Sequence, residues 1–79
     1  MKRTTHRPRP RAYRFTVRRE GYTMYLVTFL SAHAYRTARP LFGDDAIWLG
    51  RSLVVDQHYV RDVVDGLVNQ EGYILAEAA

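Results

Sequence analysis

The chain has 79 residues, of which 47% are hydrophobic and 25% charged, with a formal net charge of +4 and no cysteine. That length supports one domain, burying roughly 60 to 65% of the surface its unfolded form exposes. The composition excludes a disulfide framework and a thiolate metal site, and no apolar run approaches the roughly 18 residues that span a membrane.

The net charge conceals a division. Residues 1–19 hold Lys2, Arg3, Arg7, Arg9, Arg11, Arg14, Arg18 and Arg19 without a single acid, a charge of +8. Residues 20–79 hold four arginines against eight acids, a charge of −4. This is the pattern of a basic arm on a mildly acidic body. The opening "MKRTTHRPRP" has no aliphatic residue after Met1, and its two X-Pro steps favour extended backbone. A flexible basic arm is expected over 1–11 and a single domain over 12–79. The basic start is not followed by the apolar core of a secretory signal, and Pro8 and Pro10 oppose the amphipathic helix of a transit peptide. The expectation is a cytoplasmic protein without a membrane partner.

"AYRFTVRRE" alternates, with Tyr13, Phe15 and Val17 on one face and Arg14, Thr16 and Arg18 on the other. Period 2 predicts a half-buried strand. Glu20-Gly21 signals a turn, and "YTMYLVTFL" then supplies the β-branched and aromatic residues of a second strand, completing a hairpin. Both faces of this second strand are apolar, as in strands that are central or covered twice. A helix over 23–38 is the competing assignment. In "SAHAYRTAR" Ser31 is the expected N-cap of a short helix, with Ala34 and Ala38 four apart on one face and Pro40 ending it. "LFGDD" reads as a loop.

"AIWLGRSLVV", residues 46–55, predicts one strand with a bend or bulge at Gly50. Asp56 is the expected cap of a helix over 57–70. Tyr59, Val60, Val63, Val64, Leu67 and Val68 form its apolar stripe, and Asp62 and Asp65 lie on its outer face. Gly72 ends that helix and "YILAE" gives a last strand. The predicted fold is a small α+β domain, β-β-α-β-α-β, with a mainly antiparallel sheet and its helices on one side. Trp48, Phe29, Val64 and Leu67 are the expected core.

No motif carries chemistry. "GRSLV" lacks the second glycine of a nucleophile elbow, and Ser31 serves better as a cap. His6, His33 and His58 have no second histidine at helical i, i+4 spacing, and "DQH" is a weak local pair. Asp44-Asp45 reads as a turn feature. The five glycines stand alone, so none builds a phosphate cradle. The expectation is a non-enzymatic protein without cofactor or metal.

Binding remains. Eleven arginines against one lysine suit planar contacts to phosphate or carboxylate, a skew that high-GC coding also produces. The candidate partner-binding residues are Arg14, Arg18 and Arg19, then Arg36 and Arg39, with Arg7, Arg9 and Arg11 from the arm. Asp62 and Asp65 form a secondary acidic face. Two functions fit: a protein-binding inhibitor or adaptor lodged in a nucleic-acid-handling complex, and a small basic module holding nucleic-acid phosphates directly. Tyr13 and Phe15 fall opposite the arginines on their strand and are expected in the core, and "RFTVR" does not match the aromatic-glycine signature of sheet RNA readers. A monomer and a dimer are both compatible with the pattern.

The segment "YRFTVRREGYTMYLVTFLSAHAYRTARPLF" resembles small phage-encoded anti-CRISPR proteins. It shares their strand, glycine turn, second strand and Ser-capped helix whose alanines face the sheet. The likeness is one of size and architecture and carries over no site residue. It implies a phage or mobile-element inhibitor in a bacterial host. Such an inhibitor binds a Cascade-type ribonucleoprotein complex and blocks target DNA binding or nuclease recruitment. DNA mimicry over the whole surface would need a strongly acidic chain, and this one is basic.

Overall fold

The computed structural model describes residues 13–76. The chain runs β1 (Arg14–Arg19), β2 (Met24–Phe29), α1 (Ala32–Ala38), a 3₁₀ turn (Arg39–Phe42), β3 (Ile47–Leu49), β4 (Ser52–Asp56), α2 (Val60–Asp65), a π-helical turn (Gly66–Gln70) and β5 (Ile74–Leu75). One five-stranded sheet in the order β3-β4-β2-β1-β5 is antiparallel except for the β1–β5 pair. It is the expected α+β domain with its helices on one side, and β2 is central.

The alternation of β1 dictates which side is covered. Phe15 meets Phe29 and Val17 meets Val27 in the β1–β2 register, and Tyr25 and Val27 meet Val55 and Leu53 of β4. Phe15, Val27, Phe29, Leu53 and Val55 are buried. Over them lie Ala34 and Ala38 of α1, Leu67 from the π-turn, and Tyr73, all buried. The small alanines let the α1 backbone come close to the sheet. Phe29 centres an aromatic cluster, with ring centroids 5.7 Å from Tyr73, 6.0 Å from Trp48 and 6.1 Å from Phe15. Ser31 caps α1 as expected, its Oγ accepting the Ala34 N–H at 3.1 Å.

Four expectations need correction. Residues 46–55 form two strands rather than one bent strand. Gly50 sits at φ +61°, and Leu49 pairs Ser52 across a tight turn. Positive φ at a two-residue connection folds the chain back on itself where a bulge would only have bent it. Asp56 ends β4 and does not cap α2; its carboxylate accepts the His58 N–H at 2.8 Å, closing a local turn that delays the helix to Val60. The long helix over 57–70 is a six-residue α-helix followed by a π-turn, and its stripe is only partly covered. Leu67 is buried and Val60, Val63 and Val64 are half-buried, but Tyr59 and Val68 are exposed. Of the expected core residues, Phe29 and Leu67 are buried while Trp48 and Val64 pack half-buried at its edge. As expected, α1 ends just before Pro40, which stands at the start of the 3₁₀ segment that follows, where its missing N–H costs no bond.

Candidate functional site

Among the described residues no helix lies over one face of the sheet, and strand alternation decides its composition. The register aligns Arg18, Leu26, Val54 and Ile47 in one row and Thr16, Thr28, Ser52 and Leu49 in the next. Ile74 lies beside Arg14 through the β5 pairing. Ile47 and Leu49 on the β3 edge are each 61% exposed, while Leu26 and Val54 are half-buried by their neighbours. Thr28 Oγ1 and Ser52 Oγ share a hydrogen bond of 2.6 Å across β2 and β4, which satisfies both hydroxyls within the face. The surface is an aliphatic patch bounded by arginines at the β1 side and by exposed aliphatic residues at the β3 side.

The described candidate arginines do not form one cluster. Arg14 and Arg18 are exposed on the open face. Arg18 Nη2 meets Glu20 Oε1 at 3.1 Å, an exposed pair worth little by itself. Arg14 makes no ion pair among the described residues. Arg19 turns back on its own hairpin. Its Nε donates to the Gly21 carbonyl at 3.0 Å and its Nη2 to the Tyr22 carbonyl at 3.1 Å, so it fixes the β1–β2 turn. Arg36 and Arg39 belong to the helical layer on the other side of the sheet. Arg39 is held by aromatic rings, its Cζ 5.6 Å from the Tyr35 ring centroid and 5.5 Å from that of Trp48, and it donates to the Tyr35 hydroxyl. Arg7, Arg9 and Arg11 lie outside the described residues, as does His6.

The acidic pair also divides. Asp62 borders a groove against the 3₁₀ turn, and Asp65 borders a second groove against β1 and β2, on the other flank of α2. His58 Nδ1 lies 2.7 Å from Asp56 Oδ1, and the His58 N–H, followed by that ring contact, holds the Asp56 carboxyl below its usual range. Tyr73 is pushed upward from its ordinary pKa. Burial is the main cause, with Tyr13 and Glu71 adding to it, and its hydroxyl donates to the Ala34 carbonyl at 3.2 Å. No group of three histidine or acidic side chains gathers among the described residues. None of their helices is long and apolar enough to cross a membrane.

The arginine-led reading of the sequence missed Leu26, Val54, Ile47 and Leu49. The signal for Leu26 was the second apolar parity of its strand, where Met24, Leu26 and Leu30 oppose Tyr25, Val27 and Phe29. Comparison with family models, with curated proteins and with solved structures finds no significant match to this chain.

Proposed function

We propose that this protein is a non-enzymatic inhibitor or adaptor that docks on a host protein or ribonucleoprotein complex through the open face of its sheet. The observation that carries the reading is the aliphatic patch of Leu26, Val54, Ile47 and Leu49 on the uncovered face, with Arg14 and Arg18 beside it. A contiguous exposed apolar patch with a charged rim is the anatomy of a protein-binding surface. Arginine at such a rim supplies orientation and on-rate as well as contact area. A nucleic-acid reader of the sheet type stacks bases on exposed aromatic rings, but Phe15 and Phe29 are buried under the helices, and beside Arg14 and Arg18 the open-face residues named above are aliphatic or hydroxylic.

The likeness to anti-CRISPR proteins narrows the proposed target to a Cascade-type surveillance complex. Blocking target DNA or nuclease recruitment is the proposed outcome of docking. The competing reading, a phosphate grip, draws on the eight basic residues before Glu20. Capture from a bacterial lysate on the tagged protein, with and without nuclease treatment, separates the two. A defined multi-subunit complex retained after nuclease supports the docking reading and names its partner. Heterogeneous nucleic acid released by nuclease or moderate salt supports the phosphate grip and removes the docking reading. Reversing the charge of Arg14 and Arg18 weakens retention of the complex and leaves the melting temperature nearly unchanged.

A further inference from the structure

A groove of about 310 Å³ runs between the 3₁₀ turn and the face formed by α2 and the π-turn. Leu41 and Phe42 form one wall and Val63 and Leu67 the other, with Tyr59 at one end. Asp62 and Glu71 stand on its lining, and no basic side chain does. Residues 20–79 carry a charge of −4, and Asp62 and Glu71 place part of it directly beside an apolar surface.

Gly66 lines the same groove, and its presence there is unexplained by the fold. Its backbone is helical, at φ −65° and ψ −42°. A Cβ added to it would meet no atom within 4 Å. Neither backbone conformation nor close packing therefore requires a glycine, although glycine within a helix is destabilising. The π-turn that begins at Gly66 widens the helix along the groove, a deviation frequent at functional sites. What the missing side chain provides is open space in the lining of the groove.

We propose that this groove binds an apolar side chain from a basic segment of a protein partner, with Asp62 and Glu71 receiving the flanking lysines or arginines. The apolar walls take the anchor, the carboxylates set its charge preference, and Gly66 leaves the volume in which it sits. This inference is independent of docking through the open sheet face, because the groove lies in the helical layer.

The test is an NMR titration of the full chain with three capped hexapeptides. One has a Leu-Trp centre flanked on each side by two arginines. The second replaces the arginines with glutamates, and the third replaces the centre with two serines. The arginine peptide with the Leu-Trp centre shifts the methyl signals of Leu41, Val63 and Leu67 to saturation, and each of the others binds at least about tenfold more weakly. Gly66→Leu, with sheet amide signals unmoved, loses the titration. Asp62→Lys, at an exposed position, weakens the arginine peptide about tenfold whether or not the Gly66 variant folds. Equal binding of the arginine and glutamate peptides overturns the proposal. So does binding that survives both substitutions, or a set of shifts confined to Leu26 and Val54 on the sheet face.

Discussion

The two faces of the sheet are built from the same strands and differ in what lies over them. On the covered face Phe15, Val27, Phe29, Leu53 and Val55 are all buried, sealed by two alanines, Leu67 and Tyr73. On the open face Leu26 and Val54 are only half-buried, and Ile47 and Leu49 are exposed. In β1 alternation separates the faces, but in β2 and β4 both faces carry large aliphatic residues, and there the helical layer distinguishes them. A domain that needs only one face for its core has kept aliphatic residues on the other, which costs solubility and is what the proposed docking would offset.

The sharpest way to break this comparison is to truncate one residue on each face. Phe29→Ala removes the centre of the aromatic cluster and is expected to cost about 3–5 kcal/mol in denaturant unfolding. Leu26→Ala, on the other side of the same strand, is expected to cost less than about 1.5 kcal/mol, because the leucine is already partly hydrated. Equal costs would mean that something already covers the open face in solution, and concentration-dependent unfolding would identify it as a second copy of the chain.

Tyr73→Phe tests how the covering layer is attached. It removes the hydrogen bond to the Ala34 carbonyl and is expected to cost about 0.5–1.5 kcal/mol at neutral pH. The tyrosine's pKa is raised in the fold from 10.0, so its contribution is complete below that value and is lost as pH rises through the folded value. The parent should therefore lose melting temperature in alkali more steeply than Tyr73→Phe. Parallel pH profiles would remove Tyr73 from the account.

Gly66→Ala is the smallest change and runs the other way. Because nothing opposes the added Cβ and the backbone is helical, it is expected to stabilise the chain by up to about 1 kcal/mol. A loss of stability would mean that the π-turn depends on glycine itself.

Much of the covered face was legible in the sequence. Alternation in "YRFTVR" assigned Phe15 and Val17 to the core side and Arg14 and Arg18 to the other, and Ser31 before an alanine pair marked α1. Residues 46–55 were not legible because both halves are apolar and a glycine between them fits a bulge as well as a turn. The start of α2 was misread for a related reason. An aspartate that accepts an N–H two residues on looks the same in sequence whether a helix or a turn follows. The proposed docking face was hidden by its own chemistry. Arginines attract a functional reading, but Arg19 fixes a turn and Arg39 stacks on Trp48, while the aliphatic residues of even parity in β2 and β4 pass for core until the layers are known.

The most direct test of the account compares nuclease-treated capture by the parent chain and by Leu49→Glu. Leu49 is 61% exposed, so the substitution should leave the melting temperature unchanged. Docking through the open face requires that the parent retain a defined protein complex and that Leu49→Glu, equally folded, lose it. The same complex held equally by both proteins, or material that nuclease removes from both, would contradict docking through the open face.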